Sequence, residues 1–325
     1  MEIKAADVAK LRAMTGAGMM DCKKALVEAE GDFDRAQDII REKGKLVAAK
    51  RADRTATQGV VASKIVGQKG YMLCLACETD FVAQNADFVA ATNAILDIAV
   101  EADAADLDAL LAVVKDGKTV AEIVTEKSGQ TGEKVELAYY GKIEAPMCVT
   151  YIHMNSKLGT LIGFNKEIDK EVAKDVAMQA AAMAPVSIDK GDCDPKIIEH
   201  ERMIGREQAR QEGKPEAMLD KIAEGKVNKF LKENTLLNQD LVKNNKISVG
   251  TYIKEADKDA TVIAYKRFSL NGSALQERTR FACMLIIVGG VWNRRYCLQG
   301  DSMRISYTVS TCCNSTYHRY PRTVR

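Results

Sequence analysis

The sequence predicts an α+β protein in which a short helical module precedes a two-part core. Three observations carry this. Apolar residues recur at helical spacing through the first 44 residues. Two β-rich hairpin patterns follow, each leading into a long helical pattern. A charge-laced stretch with a narrow apolar seam then interrupts the second unit. The 325 residues suit two or three compact units, at roughly 100 to 200 residues per domain. The expected boundaries are a three-helix N-terminal module at 1–50, a linker at 51–58, and core subdomains at 59–145 and 146–270. A helical hairpin is inserted at about 195–233, and 271–325 is an atypical tail.

In the module, Cys22, Ala25, Leu26 and Ala29 fall at i, i+3, i+4 and i+7, and Phe33, Ala36 and Ile40 at i, i+3 and i+7. Gly31 and Gly44 are read as C-terminal stops. Between the first two helices lies "TGAGMM". Two adjacent methionines cannot both face one small core, so at least one of Met19 and Met20 is expected at the surface, where methionine suits an adaptable contact. The basic run "REKGKLVAAKRADR" lacks interleaved aromatics and reads as a solvated helix end and linker.

Val60 to Val66 and Tyr71 to Cys77 are β-rich and joined by the hairpin signal "GQKG". Phe88, Ala91, Thr92, Ile95, Ile98 and Ala99 then keep helical period. A second passage repeats the plan. Met147 to Met154 and Thr160 to Phe164 flank "NSKLG", and Val172, Val176, Ala180 and Met183 are expected to line one face of another long helix. With Gly70 laid on Gly159, Glu78 meets Glu167, Asp80 meets Asp169 and Phe81 meets Lys170. The unit therefore needs no aromatic at its strand-to-helix corner. Asp80 is expected to cap the helix, and Phe81 to serve something outside the fold; packing of Phe81 on its own helix is the alternative.

The stretch from Pro195 to Glu233 has sparse apolar positions (Ile197, Ile204, Leu219, Ile222, Phe230) and a Gly213–Pro215 break, as expected of a projecting helical hairpin. "ISVGTYI" and "ATVIAYKRF" read as a closing pair of short elements with Asn245 or Gly250 at their turns. From Ser273 onward the language changes: eight Arg, no Lys and two acids, with four of the nine cysteines and the single Trp. This tail is expected to stand outside the functional fold as a frame-shifted or fused extension.

Composition narrows the function classes. The chain carries a net charge of +2, but its body is mildly acidic, with 39 Lys and Arg against 43 Asp and Glu up to Gly272. That argues against a surface that coats nucleic acid. The start "MEIKAADVAK" has no apolar signal segment and no run is long enough for a membrane span, so a cytoplasmic protein is expected. Before residue 271 there is no phosphate-binding glycine loop, no HExxH and no GxSxG. Cys74 and Cys77 have redox spacing, yet in a strand they point to opposite faces, and no second CxxC completes a zinc site. His153 lies in a predicted strand and reads as a structural histidine. No constellation supports an enzyme, a metal site or a cofactor.

Three stretches converge on a family. "LRAMTGAGMMDCKKALVEAEGDFDRAQDIIREKG", "CETDFVAQNADF" and "EGKPEAMLDKIAEGKVNKFLKENTLLNQDLVKNNKISVG" resemble, in that order, bacterial elongation factor Ts, the family of exchange factors for the GTPase elongation factor Tu. The resemblance runs from about Ile3 to Leu270. It implies a ubiquitin-associated-like three-helix module, two related α+β core subdomains and an inserted antiparallel helical hairpin.

By the same resemblance, Asp80 and Phe81, flanked by Thr79 and Val82, push between helices of the GTPase domain beside its nucleotide and magnesium site. Arg12, Met19, Met20 and Lys23 grip another helix of that domain, while His153 meets a different domain and Val242 lies in a further contact segment. The implied partner is elongation factor Tu, GDP-bound and nucleotide-free, with no direct nucleic-acid or membrane contact; self-association through the hairpin stays open. A ubiquitin-type or ribosome-associated adaptor built on the three-helix module is the alternative, and a thiol oxidoreductase at Cys74 and Cys77 a second.

Overall fold

The structure, a computed structural model, describes residues 3–270; the expectation for the tail lies outside them. Within them the chain is a mixed α+β protein. Helices α1 (Ala5–Thr15), α2 (Met19–Glu28) and α3 (Phe33–Lys50) close around Leu11, Cys22, Leu26 and Ala36. Gly16 ends α1 in the left-handed region at φ 67°, and the Asp32 carboxylate starts α3 by accepting the Asp34 and Arg35 amides at 2.9 and 3.2 Å.

Gly44 does not stop α3, as its sequence position suggested. The helix continues to Lys50 with Gly44 buried at its middle. Gly44 is used for close approach: it lies against Gly129 of a later helix.

Strands β1 (Gln58–Val66) and β2 (Lys69–Cys77) form a hairpin with a two-residue turn. The chain then runs through a one-turn helix α4 (Asp80–Ala83) into α5 (Ala86–Ala102). The short elements that follow are α6 (Leu107–Ala112), β3 (Val114–Lys115), β4 (Lys118–Thr119) and α7 (Val120–Thr131). Strand β5 (Glu136–Glu144) completes an antiparallel sheet in the order β1-β2-β5. Next come β6 (Met147–Ile152), β7 (Leu158–Phe164) and α8 (Lys170–Met183). The chain then folds α9 (Pro195–Gln211) against α10 (Glu216–Asn234), forms β8 (Asp240–Leu241), β9 (Asn244–Ser248) and α11 (Val249–Ala256), and ends the described region with β10 (Val262–Ser269). The second three-stranded sheet runs β10-β7-β6. In both sheets the second hairpin strand is central and the last strand pairs antiparallel to it.

The sheets stack on each other, with α5 outside one and α8 outside the other. Alternation along β2 sends Tyr71, Leu73, Leu75 and Cys77 toward α5 and Met72 and Cys74 toward the second sheet. On β7, Gly159 and Gly163 face the first sheet, where a Cβ on either would stand 2.8 Å from Met72 or Ile143 side-chain atoms. Ile162 and Phe164 face α8 instead.

Several local expectations need correcting. On α8 Val176 and Ala180 are buried as expected, together with Ala173, Ala177 and Ala181, but Val172, in the first turn, is half-buried and Met183, the last residue of the helix, is exposed. The α9–α10 seam uses small residues, Gly205 against Ala223, with Ala209, Leu219, Val227 and Leu231; Ile197, Ile204, Ile222 and Phe230 are only half-buried. "ISVGTYI" spans two elements: Ile247 and Ser248 end β9, and Val249 opens α11. Ser248 accepts the Thr251 amide and starts α11, so Gly250 lies inside a helix and Asn245 inside β9. There the cap outweighed β-branched composition.

Candidate functional site

Three loop segments each hold a projecting apolar side chain over a polar brace drawn from another element. The first is the corner after β2. Thr79 is extended (φ −119°, ψ 155°) and is the N-cap of α4, its Oγ accepting the Val82 amide at 3.5 Å. Asp80 is therefore the first helical residue and not the cap; Asp169, which does cap α8, corresponds in role to Thr79. In the single turn that follows, Ala83 is buried and Val82 packs on the core. At about 100° per residue, Phe81 must then face away. It is 85% exposed, and the α5 start at Asn85, which accepts the Asp87 amide at 2.8 Å, holds the exit.

The corner is strapped from behind. The Glu133 carboxylate accepts the Glu78 and Thr79 amides at 3.1 and 3.0 Å and the Thr79 hydroxyl at 2.6 Å. Reciprocally, the Glu78 carboxylate accepts the Lys134 amide at 2.6 Å and Arg51 Nη1 at 2.8 and 3.0 Å. The Lys134 amide, then Arg51, hold the Glu78 carboxyl below the usual carboxylate range. Glu133 had no signal in the sequence, because its partners lie more than 50 residues away.

The second segment is the β6–β7 turn. His153 lies one residue beyond β6, exposed, with Nδ1 3.0 Å from the Tyr151 hydroxyl; it is not the strand histidine that was expected. Its neighbour Met154 is 94% exposed, a feature the sequence reading missed. Ser156 O accepts the Val61 amide at 2.7 Å and Lys157 Nζ donates to Gln58 Oε1. Because Gln58 pairs with Cys77, this turn and the Phe81 corner share one end of β1.

The third is the β8–β9 turn with exposed Val242. Buried Gln179 of α8 accepts the Val242 amide at 2.8 Å and donates to Asp240 O at 3.2 Å, while Lys243 pairs with Asp175 at 2.6 Å.

On the three-helix module both Met19 and Met20 are exposed, in the first turn of α2, and Lys23 one turn on and Arg12 of α1 are exposed as well. A groove of about 430 Å³ between α3 and α7 is lined by charges that pair among themselves, Arg41 and Lys118 both with Glu126. Among the described residues no group of three His, Cys, Asp or Glu could hold a metal ion, and no helix is long and apolar enough to cross a membrane. Cys74 and Cys77 are buried on opposite faces of β2; burial raises both thiols, Cys77 to about 12. Neither is a poised nucleophile.

The fold and these turns define an α+β protein whose candidate site is convex, a set of apolar anchors on a rigid frame. Residues 78–272 match the family described as elongation factor TS. The chain is 49% identical over 275 residues to elongation factor Ts of Cytophaga hutchinsonii and 46% identical over 272 residues to that of Porphyromonas gingivalis. It is 40% identical over 327 aligned residues to that of Bacteroides fragilis. Each alignment covers 83% of this chain and 99% of the relative. The chain belongs to the elongation factor Ts family and is a translation elongation factor.

Proposed function

We propose that the chain is a guanine nucleotide exchange factor that binds elongation factor Tu and promotes GDP release, so that GTP can rebind. The observation that carries this reading is Phe81, 85% exposed on a corner braced by Glu133 and Arg51, in a member of this family. Burying one Phe contributes roughly 1.5 to 3 kcal/mol. That is enough to offset part of the distortion of a partner helix beside its nucleotide and magnesium site. Thr79, Asp80 and Val82 shape the wedge, and Arg12, Met19, Met20 and Lys23 form a second grip. His153 and Val242 meet other parts of the partner.

In this reading 1–50 is a ubiquitin-associated-like module, 51–58 a linker, and 59–145 and 146–270 are related core subdomains; their shared strand order supports the relation. The hairpin at about 195–233 is an insertion that serves docking or self-association. The protein works in the cytoplasm on GDP-bound and nucleotide-free partner and touches no nucleic acid directly.

No catalytic residue is required. A factor that binds the empty GTPase better than the GDP-loaded one weakens GDP binding by the same factor. The test is the affinity of the chain for elongation factor Tu with and without GDP. Markedly tighter binding to the empty form is expected; equal affinities overturn the reading.

A further inference from the structure

We propose that Glu133 is the positioning residue of the Phe81 wedge, holding the corner in its projecting geometry so that docking energy is spent on the partner and not on bending the corner. The inference rests on the exchange reading above. Glu133 follows Gly132, which ends α7 in the left-handed region at φ 71° and turns the chain toward β2. Its side chain is half-buried and forms no ion pair among the described residues. Every hydrogen bond that its carboxylate accepts among the described residues comes from the corner, two from backbone amides and one from a hydroxyl.

Hydrogen bonds to an ionised carboxylate are roughly twice as strong as neutral ones. The Thr79 bond has a further effect. Because the Thr79 hydroxyl donates its hydrogen to Glu133, its oxygen lone pairs are left to accept the Val82 amide, so one carboxylate fixes both the strand exit and the cap of α4. Phe81 sits between the two fixed points. Glu133 touches no partner atom in this account; it acts through Thr79.

A Glu133→Ala, Phe81→Ala double-mutant cycle tests this, read as release of a fluorescent GDP analogue from elongation factor Tu at saturating chain. Glu133→Ala alone should slow the maximal release about fivefold or more, the range expected for lost charge-assisted hydrogen bonds. Glu133→Gln, whose Oε1 can still accept the two amides but whose Nε2 turns a donor toward the Thr79 hydroxyl, should recover only part of the loss and fall between the parent and Glu133→Ala. In the Phe81→Ala background Glu133→Ala should cost nothing further. Equal losses in both backgrounds, or no loss beside a defective Phe81→Ala, overturn the proposal.

Amide exchange on the free chain supplies a second readout. Glu133→Ala should deprotect the Glu78 and Thr79 amides and leave Leu73 in β2 protected. Deprotection of Leu73 as well would make Glu133 a general stabilising residue and overturn the proposal. If Phe81→Ala releases GDP as fast as the unreplaced chain, the wedge assignment itself fails, and the single-variant arm shows this separately.

Discussion

Gly44 and Gly129 meet backbone to backbone where α3 crosses α7, and the contact is asymmetric. A Cβ on Gly44 would stand 3.5 Å from Gly129 Cα, an ordinary contact, whereas a Cβ on Gly129 would overlap the Gly44 backbone. The crossing seats the three-helix module on the frame that carries the corner. Gln130 reinforces it by donating to Thr15 O at 2.6 Å.

The asymmetry predicts opposite signs for two alanine substitutions. Gly44→Ala should be neutral or stabilise by up to about 1 kcal/mol, the helix-propensity difference. Gly129→Ala should destabilise by about 1 to 3 kcal/mol, because overpacking forces the helices apart. Urea unfolding of each variant checks this, and equal effects would contradict the contact.

Asp103 predicts an acid limb of stability. It ends α5 at φ 47° and accepts from Lys69, Lys142 and Tyr71 at 2.6, 2.9 and 2.8 Å. The Lys69 bond, then those of Lys142 and Tyr71, hold its carboxyl far below the usual carboxylate range. A folded pKa below the unfolded one stabilises fully above the unfolded value, about 3.9, and is lost as pH falls through the folded value. Asp103→Asn keeps a side chain that tolerates this backbone conformation. The urea midpoint gap between parent and variant should be constant from neutral pH to about pH 5 and close below about pH 4; a gap unchanged into strong acid would contradict it.

The buried thiols predict silence. Cys74 and Cys77 face different cores, and burial keeps both protonated at neutral pH. Peptide-resolved alkylation should label them only after unfolding, and replacing both with Ser should leave GDP release per folded molecule unchanged. Rapid labelling of either in the folded chain would contradict their placement.

Much of this was legible because it is periodic. The two hairpins, α5 and the α9–α10 pair follow from alternation and from 3.6-residue spacing. The segment from about 103 to 135 gave no reading, since α6, β3 and β4 are too short to show a period. Gly44 misled because a buried glycine at a helix crossing looks locally like a stop, and its partner Gly129 is distant in sequence. "ISVGTYI" was legible as a short element but not as a helix start, because its β-branched composition hid the Ser248 cap. The exposed Phe81 was visible from its misfit with Lys170 in the second passage, but its brace was not: Glu133 reaches the corner only through tertiary structure.

The measurement that tests the central claim most directly pairs GDP release with stability for Phe81→Ala. A side chain that is 85% exposed in the free chain contributes little to folding, so the unfolding free energy should change by no more than about 0.5 kcal/mol. Release of a fluorescent GDP analogue from elongation factor Tu should fall about tenfold or more, the effect of losing roughly 1.5 kcal/mol or more of docking energy. Unchanged release, or a loss that merely tracks a lower stability, would contradict the account that Phe81 is exposed to enter a partner.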